Sequence, residues 1–368
     1  MNKLSRARTF LREHTTLAFR ILLPVAVLAL LLRMCTELLP SLAQGVVDTA
    51  SFAVRRTLAA LTGWFPLSLG EWILYLLPTA LVAVVLYAVL RARTSRALCR
   101  LISGVLALVC LLVAMHSLTL GVCYQATTLD ERLGFTREDV SAEELRRTAL
   151  YLSAEANALV DGVTFDEQGS SVMPYSLDEL CDRLNAAYAT VDERLGIQGF
   201  PTRIKAVTSS RFLSYVHILG IYSFYTGEAN LNVDYPDYNF PFTSAHEFAH
   251  QRGIAREGEA NFLAHLVCIA SDDVYIRYSG YTNLLIYVLN AYYRAASGEE
   301  YSSLLRQIDP RIRGEYAAES RHGEQYDTAV GDLSSDLNDL YLKANGTEGS
   351  ISYGFVVDMA VAYYKDKT

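Results

Sequence analysis

The chain has 368 residues, 51% of them hydrophobic, and a mean hydropathy of +0.17, so part of its apolar content belongs in lipid rather than in one soluble core. Its formal net charge of -8 is unevenly spread, because residues 1–100 hold 12 of the 32 Lys and Arg but 4 of the 40 Asp and Glu. The acidic remainder has no basic face for phosphate, which excludes nucleic acid as a partner; six cysteines without a C-x-x-C pair exclude a zinc ribbon or redox motif.

Three apolar runs, 17–39, 72–90 and 101–122, each approach the roughly twenty residues that cross about 30 Å of hydrocarbon. Arg20, Arg33 and Glu37 lie near the ends of the first run, where long side chains reach the interface. A cleaved signal peptide is the alternative, with Ser41-Leu42-Ala43 as a small-x-small site, although the run is long for one. Lys3, Arg6, Arg8 and Arg12, and the Arg-rich stretch 91–100, read as cytoplasmic. An odd number of spans then puts the chain beyond about residue 123 outside the cytoplasm. Residues 1–122 are thus expected to be a membrane anchor, and 123–368 an extracytoplasmic domain.

Between the first two spans, Val46, Val47, Phe52, Leu58 and Leu61 alternate with Asp48, Arg55 and Arg56, which suits an interfacial helix or a solvated connection. Ser141 with Glu144 opens a helix over 141–161, and 176–196 repeats the plan. Short β-like pieces at 203–208 and 229–233, with a turn at Thr226-Gly227, predict a small sheet. The remainder reads as helical, through 272–297, 301–308, a long run ending near Ala344, and 354–364. The soluble part is therefore α+β and mainly helical. Of its cysteines, Cys123, Cys181 and Cys268, two at most can form one bridge.

The central segment contains H-E-x-x-H, as His246-Glu247-Phe248-Ala249-His250. Residues four apart share a helix face, so both imidazoles can bind one ion at about 2.1 Å, with Glu247 beside it. Zn2+ takes imidazole and carboxylate and keeps a fourth position open. It lowers the pKa of water from about 15.7 to about 7, and Glu247 can take the proton. The alternative is an amphipathic helix with two surface histidines, in which Ser244 and Glu247 are a capping box.

Gly253 can end the helix and turn the chain back, which brings Glu257 and Glu259 near. Glu257 is the preferred third ligand, with Asn261 one turn on as its supporting amide. Glu259, roughly 200° round the helix, is the alternative. His265 is either an oxyanion donor or a core residue. Tyr222, Tyr225, Tyr278 and Tyr281 are further donors in principle, but most of the 24 tyrosines must be packing residues.

The stretches H-E-F-A-H-Q-R-G and A-R-E-G-E-A-N-F resemble a bacterial family of membrane-anchored zincins of uncharacterised role. Residues 63–71, Thr226-Gly227-Glu228-Ala229-Asn230, Ser352-Tyr353-Gly354 and Val356-Val357-Asp358 extend that resemblance over nearly the whole chain. E-x-E-A-N is also similar to gluzincin peptidases, where the first Glu of an E-x-x-x-D/N helix binds zinc, which implies Glu257. In gluzincins an edge strand before the metal helix holds the substrate backbone, and 226–233 is similarly situated. The resemblance implies a zinc-dependent endopeptidase or amidase acting on a peptide or protein at a bacterial cell membrane. The other reading is a zincin-like sensor or binding module without catalysis.

Overall fold

The computed structural model describes residues 3–135, 139–347 and 354–367, so Ser352 and Tyr353 lie outside the described residues. The N-terminal part begins with α1 (Lys3–His14) and α2 (Leu17–Leu38), the latter capped by the Thr16 hydroxyl, which accepts from Phe19 N. α3 (Pro40–Val46), a π-turn (Val47–Ser51) and α4 (Phe52–Thr62) follow, then α5 (Leu69–Leu90) and α6 (Ser95–Thr119). α2, α5 and α6 are long and apolar enough to cross a membrane. α2 meets α6 through Ala26, Ala29 and Ala114, small residues that let two helices approach closely. Helix α6 starts before residue 101, because Thr94 caps it by accepting from Ala97 N. Arg96 and Arg100 therefore ride on its first turns rather than in a loop.

The connection 44–66 is not a solvated linker. α3, the π-turn and α4 dock on the body that follows residue 123, and Arg55, 1% exposed, is their anchor. Its guanidinium donates to Ser51 Oγ, to Val47 O and, at 2.8 Å, to Gln251 O. The body that follows residue 123 thus packs against part of the chain before it, with Arg55 bonded to Gln251 O and Gln44 Oε1 accepting from Thr127 N.

That body continues with α7 (Leu129–Leu133), α8 (Ala142–Leu159) and α9 (Leu177–Leu195). Both long helices open with the expected capping boxes, Ser141 with Glu144 and Ser176 with Glu179. The sheet comprises β1 (Ile204–Ala206), β2 (Gly220–Ser223) and β3 (Glu228–Leu231), in the order β1-β3-β2, with α10 (Ser210–Tyr215) between β1 and β2. β3 pairs parallel with β1 and antiparallel with β2. Segment 226–233, expected at the edge, therefore holds the central strand, and β2 takes the edge. The turn after β2 needs Gly227, at φ +71°. β2 escapes a pattern search because Ile218 to Tyr225 is a nearly unbroken apolar run without period-two alternation.

The remaining helices are α11 (Asn239–Gln251), α12 (Glu257–Ala270), α13 (Val274–Ala295), α14 (Gly298–Leu305), α15 (Pro310–Gln325), α16 (Ala329–Ala344) and α17 (Phe355–Tyr364). The expected long run ending near Ala344 is two helices, α15 and α16. The core gathers around Tyr188, Phe248, Phe262 and Tyr278, all fully buried. Cys123, Cys181 and Cys268 are buried free thiols, so the single bridge their count allows is not formed.

His265 belongs to this core and not to a reaction site. Its Nδ1 donates to Gly280 O at 3.0 Å and its Nε2 accepts from the Tyr364 hydroxyl at 2.7 Å. Those bonds define a neutral ring, and burial pushes its pKa down to about 4 from 6.5.

The sheet is locked to the start of the second apolar helix by carboxylates running both ways. Glu228 pairs with Lys205 and also accepts from Leu69 N and Gly70 N at the head of α5. Glu71 on α5 in turn accepts from Thr208 N, Ser209 N and the Ser209 hydroxyl. Segments 63–71 and 226–230, far apart in sequence, are thus two halves of one joint.

Glu228→Gln is expected to cost about 3–5 kcal/mol, because it leaves Lys205 charged and buried without its partner. Thermal melting should fall by several degrees, and pairing Glu228→Leu with Lys205→Met should recover part of the loss. For His265, only the unfolded chain takes up a proton as pH falls from 6.5 toward about 4. Stability is therefore expected to fall through that window. His265→Asn should flatten this slope, whatever its absolute stability, in melts across the same range.

Candidate metal centre

Helix α11 begins at Asn239, so Ser244 lies inside it and cannot form a capping box with Glu247. What the helix does with its sequence is put His246 and His250 one turn apart on one face. It stops at Gly253, whose φ of +90° any side chain would strain, and a Cβ there would lie 2.8 Å from the Arg55 guanidinium. Arg55 holds the carboxyl end of α11, where a cation also meets the negative end of the helix dipole. The tight turn returns the chain as α12, with Glu257 as its first residue.

His246 Nδ1 faces Asn261 Oδ1 at 2.8 Å, and His250 Nδ1 faces Ile254 O at 2.8 Å. Both partners accept only, so each Nδ1 donates and each Nε2 points into the cluster, where it can take a proton or a cation. The two Nε2 atoms lie 3.0 Å apart. Glu257 adds Oε2 at 3.2 Å from His246 Nε2 and Oε1 at 3.7 Å from His250 Nε2. Three acceptors thus converge, with all ligand atoms within 4.8 Å of one another. Such a cluster calls for positive charge at its centre. Burial opposes a proton on His250, but the neighbouring Glu257 carboxylate outweighs it and raises the pKa to about 9.

Glu247 stands beside this cluster, 3% exposed, and its Oε2 has no hydrogen-bond partner. Burial pushes its carboxyl up to about 7, against the opposing pull of the two histidines. β2 passes so close that a Cβ on Gly220 would lie 2.6 Å from Glu247 Oε1 and 2.7 Å from Thr243 Cγ2. Glu259 is turned elsewhere: it accepts from Leu129 N and pairs with Arg256, away from the histidines. Glu257, Asn261, His246, Glu247 and His250 are therefore together, and Glu259 is not among them.

The cluster opens into a cleft of about 690 Å³ walled by β2, α11, α13, α16 and the end of α6. Of the four tyrosines considered as donors, only Tyr222 borders it. Tyr225 donates to Gly70 O, Tyr278 approaches Glu315, and Tyr281 packs on His265. Sequence reasoning missed Tyr287 on α13, which lies near Asn261 and Glu257, and Glu319 on α15, which accepts from Tyr238. Neither carries a local signal, because each reaches the cleft from a helix distant in sequence.

No curated protein and no solved structure matches the chain. The match that does cover it runs over residues 52–361, which includes α4, the sheet, the histidines and α16, and by it the chain belongs to the family described as protein of unknown function (DUF3810).

Proposed function

We propose that the protein is a membrane-anchored, zinc-dependent hydrolase of peptide or amide bonds, with a zincin-like domain outside the cytoplasm of a bacterial cell. One observation carries the reading: two imidazole Nε2 atoms and the Glu257 carboxylate converge beside the unpartnered oxygen of Glu247, in an open cleft. The donor set fits Zn2+, which accepts two imidazoles and a carboxylate and leaves a position for substrate. His246, His250 and Glu257 would hold the ion, with Asn261 and the Ile254 carbonyl orienting the rings. The ion would polarise a carbonyl and make neighbouring water acidic.

Glu247 supplies the proton relay. Its free oxygen can accept a proton from water and return it to a leaving amine. β2 is the sheet edge along the cleft, so an extended peptide could add to it as a further strand. That substrate role, expected for 226–233, passes to β2 because β3 is paired on both sides. The basic residues of α1 and of 91–100 support a cytoplasmic N-terminus. A non-catalytic metal sensor has one observation in its favour, the joint of Glu228 and Glu71 that ties the sheet to α5.

The purified full chain is expected to hold about one zinc per molecule by elemental mass spectrometry, and His246→Ala to lose it. Glu247→Gln should keep the metal and lower hydrolysis of a peptide substrate by about 10²–10⁴-fold. A folded wild-type chain without metal overturns the hydrolase reading, and metal without Glu247-dependent cleavage favours the sensor. Gly220→Ala should displace Glu247 and cost about 10²-fold in hydrolysis at unchanged metal content, since small misplacements of a reacting group are costly.

A further inference from the structure

Helix α16 lines one side of the cleft, and its two buried residues, Gly331 and Leu342, lie near its ends. Near its start, Gly331 sits where any side chain would strike the ring of His217, on the cleft rim. Near its finish, Leu342 is buried and the Tyr341 hydroxyl meets His116 Nε2 at 3.2 Å, with the rings edge to face at 5.8 Å. His116 is in the last turn of α6, the third apolar helix.

The helix has three distinct sides. Ser334, Ser335, Asn338 and Tyr341 line the cleft. Val330, Leu333, Leu337 and Leu340 are 53%, 58%, 57% and 64% exposed. Asp332, Asp336 and Asp339 form the third side. At 3.6 residues per turn the three sides lie about a third of a turn apart. A helix in a soluble protein turns such an apolar stripe toward its core. Among the described residues, nothing in the chain covers this one.

Its location indicates what does. Tyr341 docks one turn inside the end of a membrane-length helix, so α16 lies at the level where α6 leaves the hydrocarbon. Trp64, 87% exposed, stands with Phe65 and Leu67 just ahead of α5, where an aromatic belt would mark the end of that apolar helix. We propose that α16 is an interfacial helix whose apolar stripe rests in the outer lipid surface and seats the mouth of the cleft there. On the hydrolase reading above, on which this step rests, the cleft then receives juxtamembrane segments of membrane-anchored polypeptides. The acidic side faces water, so attachment is apolar rather than electrostatic.

The test uses the full chain in phosphatidylcholine nanodiscs, with photoreactive p-benzoylphenylalanine in place of Leu337, Asp336 or, as a control within α2, Leu28. Irradiation followed by mass spectrometry is expected to give phospholipid adducts at 337 as at 28, and at least about fivefold fewer at 336. Crosslinks from 337 to a second copy of the chain, or lipid adducts at 28 alone, overturn the proposal. This readout needs neither metal nor activity, so a chain without zinc could still keep its lipid seat. For the substrate class, Leu333→Asn with Leu337→Asn should slow cleavage of a palmitoylated fluorogenic casein peptide about tenfold and spare the untethered peptide. Equal slowing of both overturns that assignment.

Discussion

The buried guanidinium of Arg55 is the contact on which the rest of the site depends. It closes the carboxyl end of α11 and fills the space that Gly253 leaves by having no side chain. The turn at Gly253 brings Glu257 and Asn261 back over the histidines of α11. A charge buried this deeply needs partners to be tolerated, and each of the three Arg55 guanidinium nitrogens donates one bond, to Ser51, Gln251 and Val47. Helix α4, just ahead of an apolar helix long enough to cross a membrane, thereby becomes a structural part of a centre assembled some two hundred residues later.

The same logic recurs at the sheet. Glu228 serves at once as partner of Lys205 and as cap for the backbone amides that open α5, while Glu71 returns the favour to the loop after β1. A helix start leaves amides without intrahelical partners, and a carboxylate satisfies them with the dipole in its favour. These joints tie α5 to the sheet whose edge strand β2 walls the cleft. Either proposed role, hydrolase or sensor, would use that connection.

Around the centre, the supporting bonds decide the chemistry more than the histidines themselves. Asn261 Oδ1 and the Ile254 carbonyl each accept from an Nδ1–H, which turns both Nε2 atoms toward Glu257. Burial raises the Glu247 carboxyl against the pull of the two histidines, while Gly220 lets a strand edge approach its carboxylate. The bystanders are equally informative: His265 has the same side chain as the centre's histidines, yet two core hydrogen bonds leave it neutral and inert.

What was legible in the sequence was what local periodicity encodes. Three apolar runs of bilayer length, the Ser-x-x-Glu caps of α8 and α9, the pairing of His246 with His250, and Asn261 one turn after Glu257 all follow from spacings of a few residues. Only the tertiary structure distinguished Glu257 from Glu259, because their separation depends on the angle between α11 and α12 at Gly253. It alone put β2 at the edge, recruited Arg55 and Glu228, and brought Tyr287, Glu319 and α16 to the cleft. Those contacts join positions far apart in the chain, and side chains that meet only after folding leave no mark in a window of neighbouring residues.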